Sequence, residues 1–267
     1  MQNILLYGNC QIGALASLIN VNPNYCIFQV ECWNTEISFI EFTSLIQNMD
    51  IIFMHVTEDE YRNKHYLSTT YIINTCKPNT KLNLLTNLYF PYYYFDSYIG
   101  DQIKSNLLYE YKTIKQYKID NKSTNEILEK VIYNTNFKTD QDLIDLEDYC
   151  FNELHKRYEN MKLYVDFYKN HKSIKIINII PFIKQNFKHE LLFYSINHPT
   201  LHLLKFVINE INKELNYILD LNINKDYFSY CKGIIYSCLQ KQLTFDISKC
   251  PININNCTSI PEFIENY

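Results

Sequence analysis

Glycine is nearly absent from this chain, with four in 267 residues, and arginine occurs only at Arg62 and Arg157. No stretch approaches the roughly 20 uninterrupted apolar residues that span a bilayer, which excludes a transmembrane reading. Basic surplus is missing too: 25 Lys and Arg against 29 Asp and Glu leave a net charge of −4. A protein held to nucleic acid by phosphate charge shows a surplus or a basic stripe, so nucleic acid is not expected as a partner. Neither GxxxxGK[ST] nor GxGxxG is present, which removes the common phosphate-loop and dinucleotide readings. The opening MQNILLYGNCQIG has no basic n-region and breaks its apolar run at Gly8-Asn9, so it is not read as a signal peptide. Nine cysteines, an odd number, then read as reduced thiols of a cytoplasmic protein. Metal sites are not expected. Cys26/Cys32, Cys231/Cys238 and Cys250/Cys257 have five or six residues between them, and HPTLH at His198–His202 carries proline where HExxH has its glutamate.

What remains is a core-forming chain, 47% hydrophobic and 20% charged. Its bias toward Asn, Ile, Lys and Tyr reads as mutational background, and the run Tyr92 to Phe95 reads first as packing. Short apolar runs at 4–7, 26–30, 51–54 and 82–88 predict strands, with helices over 12–19, 38–47 and 58–76 between them. Such alternation points to a small parallel sheet covered on both faces. From 101 the pattern turns helical, over 103–117, 125–133 and 140–170. Residues 174–180 fit a strand or a helix start, 191–195 a short strand or extended piece, and Pro199 an N1 position opening a helix to about Leu219. The last fifty residues remain ambiguous. The fold class is therefore α/β, a sheet domain over 1–100 and 171–267 with a mainly helical cap over 101–170.

Two of the four glycines, Gly8 and Gly13, flank Cys10. In a chain that otherwise avoids glycine, this clustering marks a backbone requirement. A strand running into a tight turn and then a helix places Cys10 at the carboxyl end of a sheet strand, where open α/β sheets hold ligands. Helix N-terminal N–H groups lower a thiol's pKa and stabilise an oxyanion, so Cys10 is suited to nucleophilic attack; the competing reading is a small buried side chain. His198, directly before Pro199, is kept out of helical backbone and supplies the base that a thiol needs; alone, it reads as structural.

The strand–Gly–x–nucleophile–helix start with a later His-Pro resembles the SGNH/GDSL hydrolase arrangement. More closely, the chain resembles the WcbI family of polysaccharide-biosynthesis acetyltransferases. Four segments in the same order carry the resemblance: YGNCQ at 7–11, DEYR at 59–62, LYFPYYYFDSY at 88–98 and FYSINHPT at 193–200. It departs from the SGNH pattern at the nucleophile, which is Cys10, and at Ser195, where DxxHP has its aspartate. Asn197 or a backbone carbonyl then inherits the task of orienting the imidazole, or the site runs as a Cys-His dyad.

The resemblance implies an SGNH- or flavodoxin-like sheet and a coenzyme A-dependent O-acetyltransferase that takes acetyl from acetyl-CoA to a saccharide or glycoconjugate hydroxyl. Cys10 then matches the nucleophile and His198 the base. The oxyanion falls to the N–H groups of Cys10 and Gln11 with the side chain of Asn9 or Asn87. Coenzyme contacts are assigned to Gly8, Arg62, Asn197 and Tyr94; Arg62 suits phosphate geometry better than lysine, with an ion pair to Glu58 or Asp59 as its alternative. Arg157, beside Lys156, reads as solvated, and His55 as a minor rim residue. A cysteine-dependent esterase or thioesterase, or a non-catalytic binding module, uses the same scaffold. Acceptor, acyl group and oligomeric state are not encoded legibly.

Overall fold

The apolar runs of the first ninety residues fold as parallel strands joined by helices. The computed structural model describes residues 1–33, 36–100, 109–222 and 224–267. The chain begins with β1 (Gln2–Gly8), α1 (Cys10–Ala16), β2 (Tyr25–Glu31), α2 (Phe39–Gln47), β3 (Ile51–His55), α3 (Thr69–Thr75) and β4 (Lys81–Leu85). Its middle carries β5 (Ser97–Ile99), β6 (Tyr109–Tyr111), α4 (Lys112–Ile119), α5 (Thr124–Ile127) and α6 (Asp140–Tyr168). There follow β7 (Ile174–Ile177), α7 (Ile180–Asn186), β8 (Phe193–Ser195), β9 (His198–Pro199), α8 (Leu201–Glu214) and α9 (Ile260–Asn266).

Packing divides these elements into two units. The first comprises residues 1–87, 154–180 and 201–227; the second comprises 88–153, 181–200 and 228–267. The segment 101–170 contributes to both, and its first eight residues, where the predicted helix from 103 begins, lie outside the described residues.

In the first unit five parallel strands run in the order β2-β1-β3-β4-β7. This is the flavodoxin-like order of doubly wound sheets, in agreement with the fold class read from the sequence. Alternation with period two puts Leu5, Tyr7, Ile52, Met54, Leu82 and Leu84 into one core with Phe42 and Ile46 of α2 and Ile72 of α3. Ser38 caps α2 through a reciprocal capping box with Glu41, which is why that helix starts where it does.

Two local expectations are corrected, and a third, left open between two alternatives, is resolved. Residues 58–76 do not form one helix, because Arg62 and Asn63 adopt φ of 53° and 57°, a left-handed pair that an α-helix does not accommodate. Two 3₁₀ turns, Tyr61–Asn63 and His65–Leu67, precede α3 instead. Pro199 does not open a helix: it pairs with Phe193 in the β8–β9 ladder, Thr200 N–H continues to Leu192 O at 2.9 Å, and α8 starts at Leu201. Residues 174–180 are both alternatives in turn, β7 and then the first residue of α7.

The second unit has two short antiparallel ladders, β5–β6 and β8–β9, around an aromatic core. The Phe90 ring lies 5.4–6.1 Å from those of Tyr92, Phe151, Phe187 and Phe193. Tyr92, Tyr93 and Tyr94 are all buried, so this run fills the core. Among the described residues no helix is long and apolar enough to cross a membrane.

Candidate functional site

β1 has β2 on one side and β3 on the other, so the connections leaving β1 and entering β3 run to opposite sides of the sheet. The carboxyl ends of β1 and β3 therefore flank a topological switch point, the crevice in which open α/β sheets bind ligands. Gly8, Asn9, Cys10 and His55 lie at those strand ends.

Gly8 is required there. It has φ of +156°, and a Cβ on it would stand 2.4 Å from His55 Nδ1 and 2.9 Å from Ile12 Cγ1. His55 is buried beneath the turn and accepts from Asn9 N–H at 3.4 Å. Burial first, and the Arg157 charge second, hold its pKa down to about 3, so the ring is neutral at pH 7 and its Nδ1 is free of a proton. The residue read as a minor rim candidate is thus a support under the turn.

Asn9 caps α1. Its Oδ1 accepts from Gln11 N–H at 2.9 Å, and its Nδ2 donates to Asn87 Oδ1 at 2.9 Å. This corrects the oxyanion assignment of Gln11: its backbone donor is engaged by the cap, and its side chain is fully buried. Asn87 Nδ2 has no partner among the described residues and is the side-chain donor this arrangement offers. Arg157 is not simply solvated either. It is half-buried, and its Nη1 donates to Asn87 O at 3.3 Å, placing a guanidinium at the rim of the same sheet. Cys10 is half-buried as the first residue of α1. Arg62 is exposed, and its Nη1 donates to Trp33 O at 2.6 Å, a loop contact in place of the ion pair weighed for it.

In the second unit His198 sits in a polar knot inside an aromatic wall. Its Nδ1 lies 2.9 Å from Tyr109 Oη, 2.9 Å from Ser195 Oγ and 3.0 Å from Cys231 Sγ. Asn197 Oδ1 accepts from Ser195 Oγ–H at 3.4 Å and from Tyr109 Oη–H at 3.3 Å. Phe228 stacks on the imidazole at 4.5 Å between centroids. Burial lowers the His198 pKa to about 4, which keeps the ring neutral at pH 7. With the proton on Nδ1, both hydroxyls accept from it and Asn197 Oδ1 takes the hydroxyl protons, so the network accommodates a tautomer with Nε2 unprotonated. Ser195 therefore stands on the imidazole where the SGNH pattern has a carboxylate. Tyr94 does not present a stacking face: its hydroxyl donates to Phe193 O at 2.9 Å, and its ring lies where a Cβ on Gly233 would stand, 2.6 Å from Cε1.

Comparison with known proteins places the chain. The family described as polysaccharide biosynthesis enzyme WcbI matches residues 3–218. The chain belongs to the WcbI family. No curated protein matches it. A solved structure of WcbI, described as a novel polysaccharide biosynthesis enzyme, superposes with a TM-score of 0.80 at 19% identity, over 99% of this chain and 88% of that one. That structure is further described as the native protein without a disulfide bond between coenzyme A and one of its cysteines. The WcbI match and the fold agree with the resemblance carried by YGNCQ and NHPT. Sequence reasoning missed Tyr109, Cys231 and Phe228 around His198, which no motif marks, and misjudged Arg157, whose local context is a charged helix.

Proposed function

We propose that this WcbI-family protein is a coenzyme A-dependent O-acetyltransferase acting on a saccharide hydroxyl, with Cys10 as nucleophile and His198 as base. The observation that carries the reading is the turn at Gly8–Cys10. It puts a half-buried thiol at the switch point of a doubly wound sheet, with the amide of Asn87 tied to the same turn through Asn9. Family membership supports a saccharide, and the solved relative, whose description names coenzyme A together with a cysteine, supports the donor.

In this reading Cys10 Sγ attacks the acetyl carbonyl of the thioester. The new C–S bond forms as the bond to the coenzyme sulfur breaks, and the coenzyme leaves as its thiol with the proton that Cys10 gave up. Asn87 Nδ2 donates to the carbonyl oxygen as charge develops on it, and Asn9 fixes the amide for that task. His198 Nε2 then takes the proton of the sugar hydroxyl as its oxygen attacks the acetyl-cysteine, and the thiolate leaves. Arg157 and Arg62 are the guanidinium groups suited to the coenzyme's phosphates.

Calorimetry with coenzyme A and acetyl-CoA tests the donor, and intact mass after acetyl-CoA addition tests the intermediate. Saturable binding and a single acetyl group on Cys10, absent in Cys10→Ala, are expected. No binding of either ligand, or wild-type transfer by Cys10→Ala, overturns the reading. Release of free acetate in place of transfer to sugar marks the hydrolase.

A further inference from the structure

The second unit contains a cavity of about 290 Å³ that no step above uses. It lies near the lower end of the roughly 300–1,000 Å³ of small-molecule sites, room for one sugar residue rather than a chain. Tyr109, Ser195, Tyr230, Cys231, Lys232 and Asn253 line it, and no carboxylate does so among the described residues. Lys232 is its one charged side chain, with Nζ 5.2 Å over the Tyr194 ring and no acidic partner among the described residues. Tyr230 is 58% exposed.

The rim is built rather than incidental. Lys232 and Asn253 exchange backbone hydrogen bonds at 3.0 and 2.8 Å. The next turn closes with reciprocal bonds between Ile254 and Cys257, and Asn255 and Asn256 take φ of 51° and 68° at its tip. Two left-handed central residues are the type I′ pattern, for which asparagine is well suited. The inner wall is chemically significant: Tyr109, Ser195 and Cys231 are the three groups that surround His198 Nδ1.

We propose that this cavity binds one anionic sugar residue, with its carboxylate or phosphate on Lys232 and its hydroxyls on Asn253, Ser195 and Tyr109. A ligand hydrogen-bonded to Ser195 or Tyr109 alters their bonds to His198 Nδ1, so occupancy is sensed at that ring. The inference rests on the saccharide part of the reading above and is independent of the acyl donor.

Isothermal titration of the full chain with glucuronate, glucose 6-phosphate, glucose and inorganic phosphate tests it, with histidine ring resonances followed by NMR. At least one of the two anionic sugars is expected to bind saturably, and both glucose and inorganic phosphate about tenfold more weakly or worse. Lys232→Gln weakens the anionic sugar by about tenfold, Lys232→Arg retains it, and the His198 resonance moves on binding. Equal affinity for glucose, equal affinity for inorganic phosphate, an unmoved His198 resonance or indifference to Lys232→Gln overturns the proposal. Acetyl-CoA titrated into the same samples separates the failures. Sugar binding without coenzyme binding leaves this site and removes the transferase, whereas coenzyme binding without sugar binding removes this site alone. Loss of acetyl-CoA binding in Lys232→Gln gives the cavity to the coenzyme and overturns the proposal.

Discussion

Asn9 joins the end of β1 to the residue two positions beyond β4: its Nδ2 donates to Asn87 Oδ1 at 2.9 Å while its Oδ1 accepts from Gln11 N–H at 2.9 Å. One amide thereby caps a helix and orients a second amide, whose backbone carbonyl is held by Arg157 at 3.3 Å. The Cys10 turn is thus braced by Asn87, which Arg157 holds in turn, so three separated parts of the sequence meet there.

Asn87 discriminates an oxyanion donor from a brace. Asn87→Asp keeps an acceptor for Asn9 and loses the Nδ2 donor. Acetyl transfer by this variant is expected to fall by about 10²–10³, as in Asn87→Ala, with little change in acetyl-CoA affinity. Steady-state kinetics beside calorimetry read this out; a fully active Asn87→Asp protein leaves only the bracing role.

Gly8→Ala forces a methyl within 2.4 Å of His55 Nδ1 on a backbone at φ of +156°. It should cost about 2–3 kcal/mol of stability in urea unfolding. Adding His55→Ala relieves the contact but not the backbone strain, so the double mutant falls short of the sum of the two single losses. Strict additivity counts against the packing account.

The two buried histidines set an acid limit. Folding lowers the pKa of His55 to about 3 and that of His198 to about 4, so below pH 6.5 the unfolded chain binds protons that the folded chain refuses. Their neutral forms suit the fold above pH 6.5, and stability is lost as pH falls from there toward the folded values. Each contributes up to about 3 kcal/mol of loss by pH 4. Urea midpoints taken between pH 7 and pH 4.5 should decline less steeply in His198→Gln than in the parent; parallel slopes refute the assignment.

In the proposed mechanism Ser195 is a positioning residue acting through His198. Ser195→Ala removes an oxygen 2.9 Å from Nδ1 but leaves Tyr109 in place, so kcat should drop by about tenfold, short of the 10²–10⁴ a general base contributes. Ser195→Thr restores it, and Ser195→Ala with Tyr109→Phe approaches the loss expected of His198→Gln. A single mutant with an unchanged pH–rate profile and unchanged kcat counts against positioning.

What the chain's order of residues determined by itself was local. Apolar runs of strand length, separated by helical patterns, are enough to specify a parallel sheet, and Gly8-Asn9-Cys10 is legible because strand, turn and helix are contiguous. Tertiary structure decided the rest. Tyr109 reaches His198 from 89 positions away and Cys231 from 33, and no periodicity records such a meeting. Arg157 sits among charges that mimic a solvated helix face, and only packing sets its guanidinium on Asn87 O. Gln11 looked like an oxyanion donor until the fold gave its N–H to Asn9. Backbone patterning follows from neighbours in sequence, whereas hydrogen-bond partners are assigned by which strand ends and loops the sheet order brings into reach.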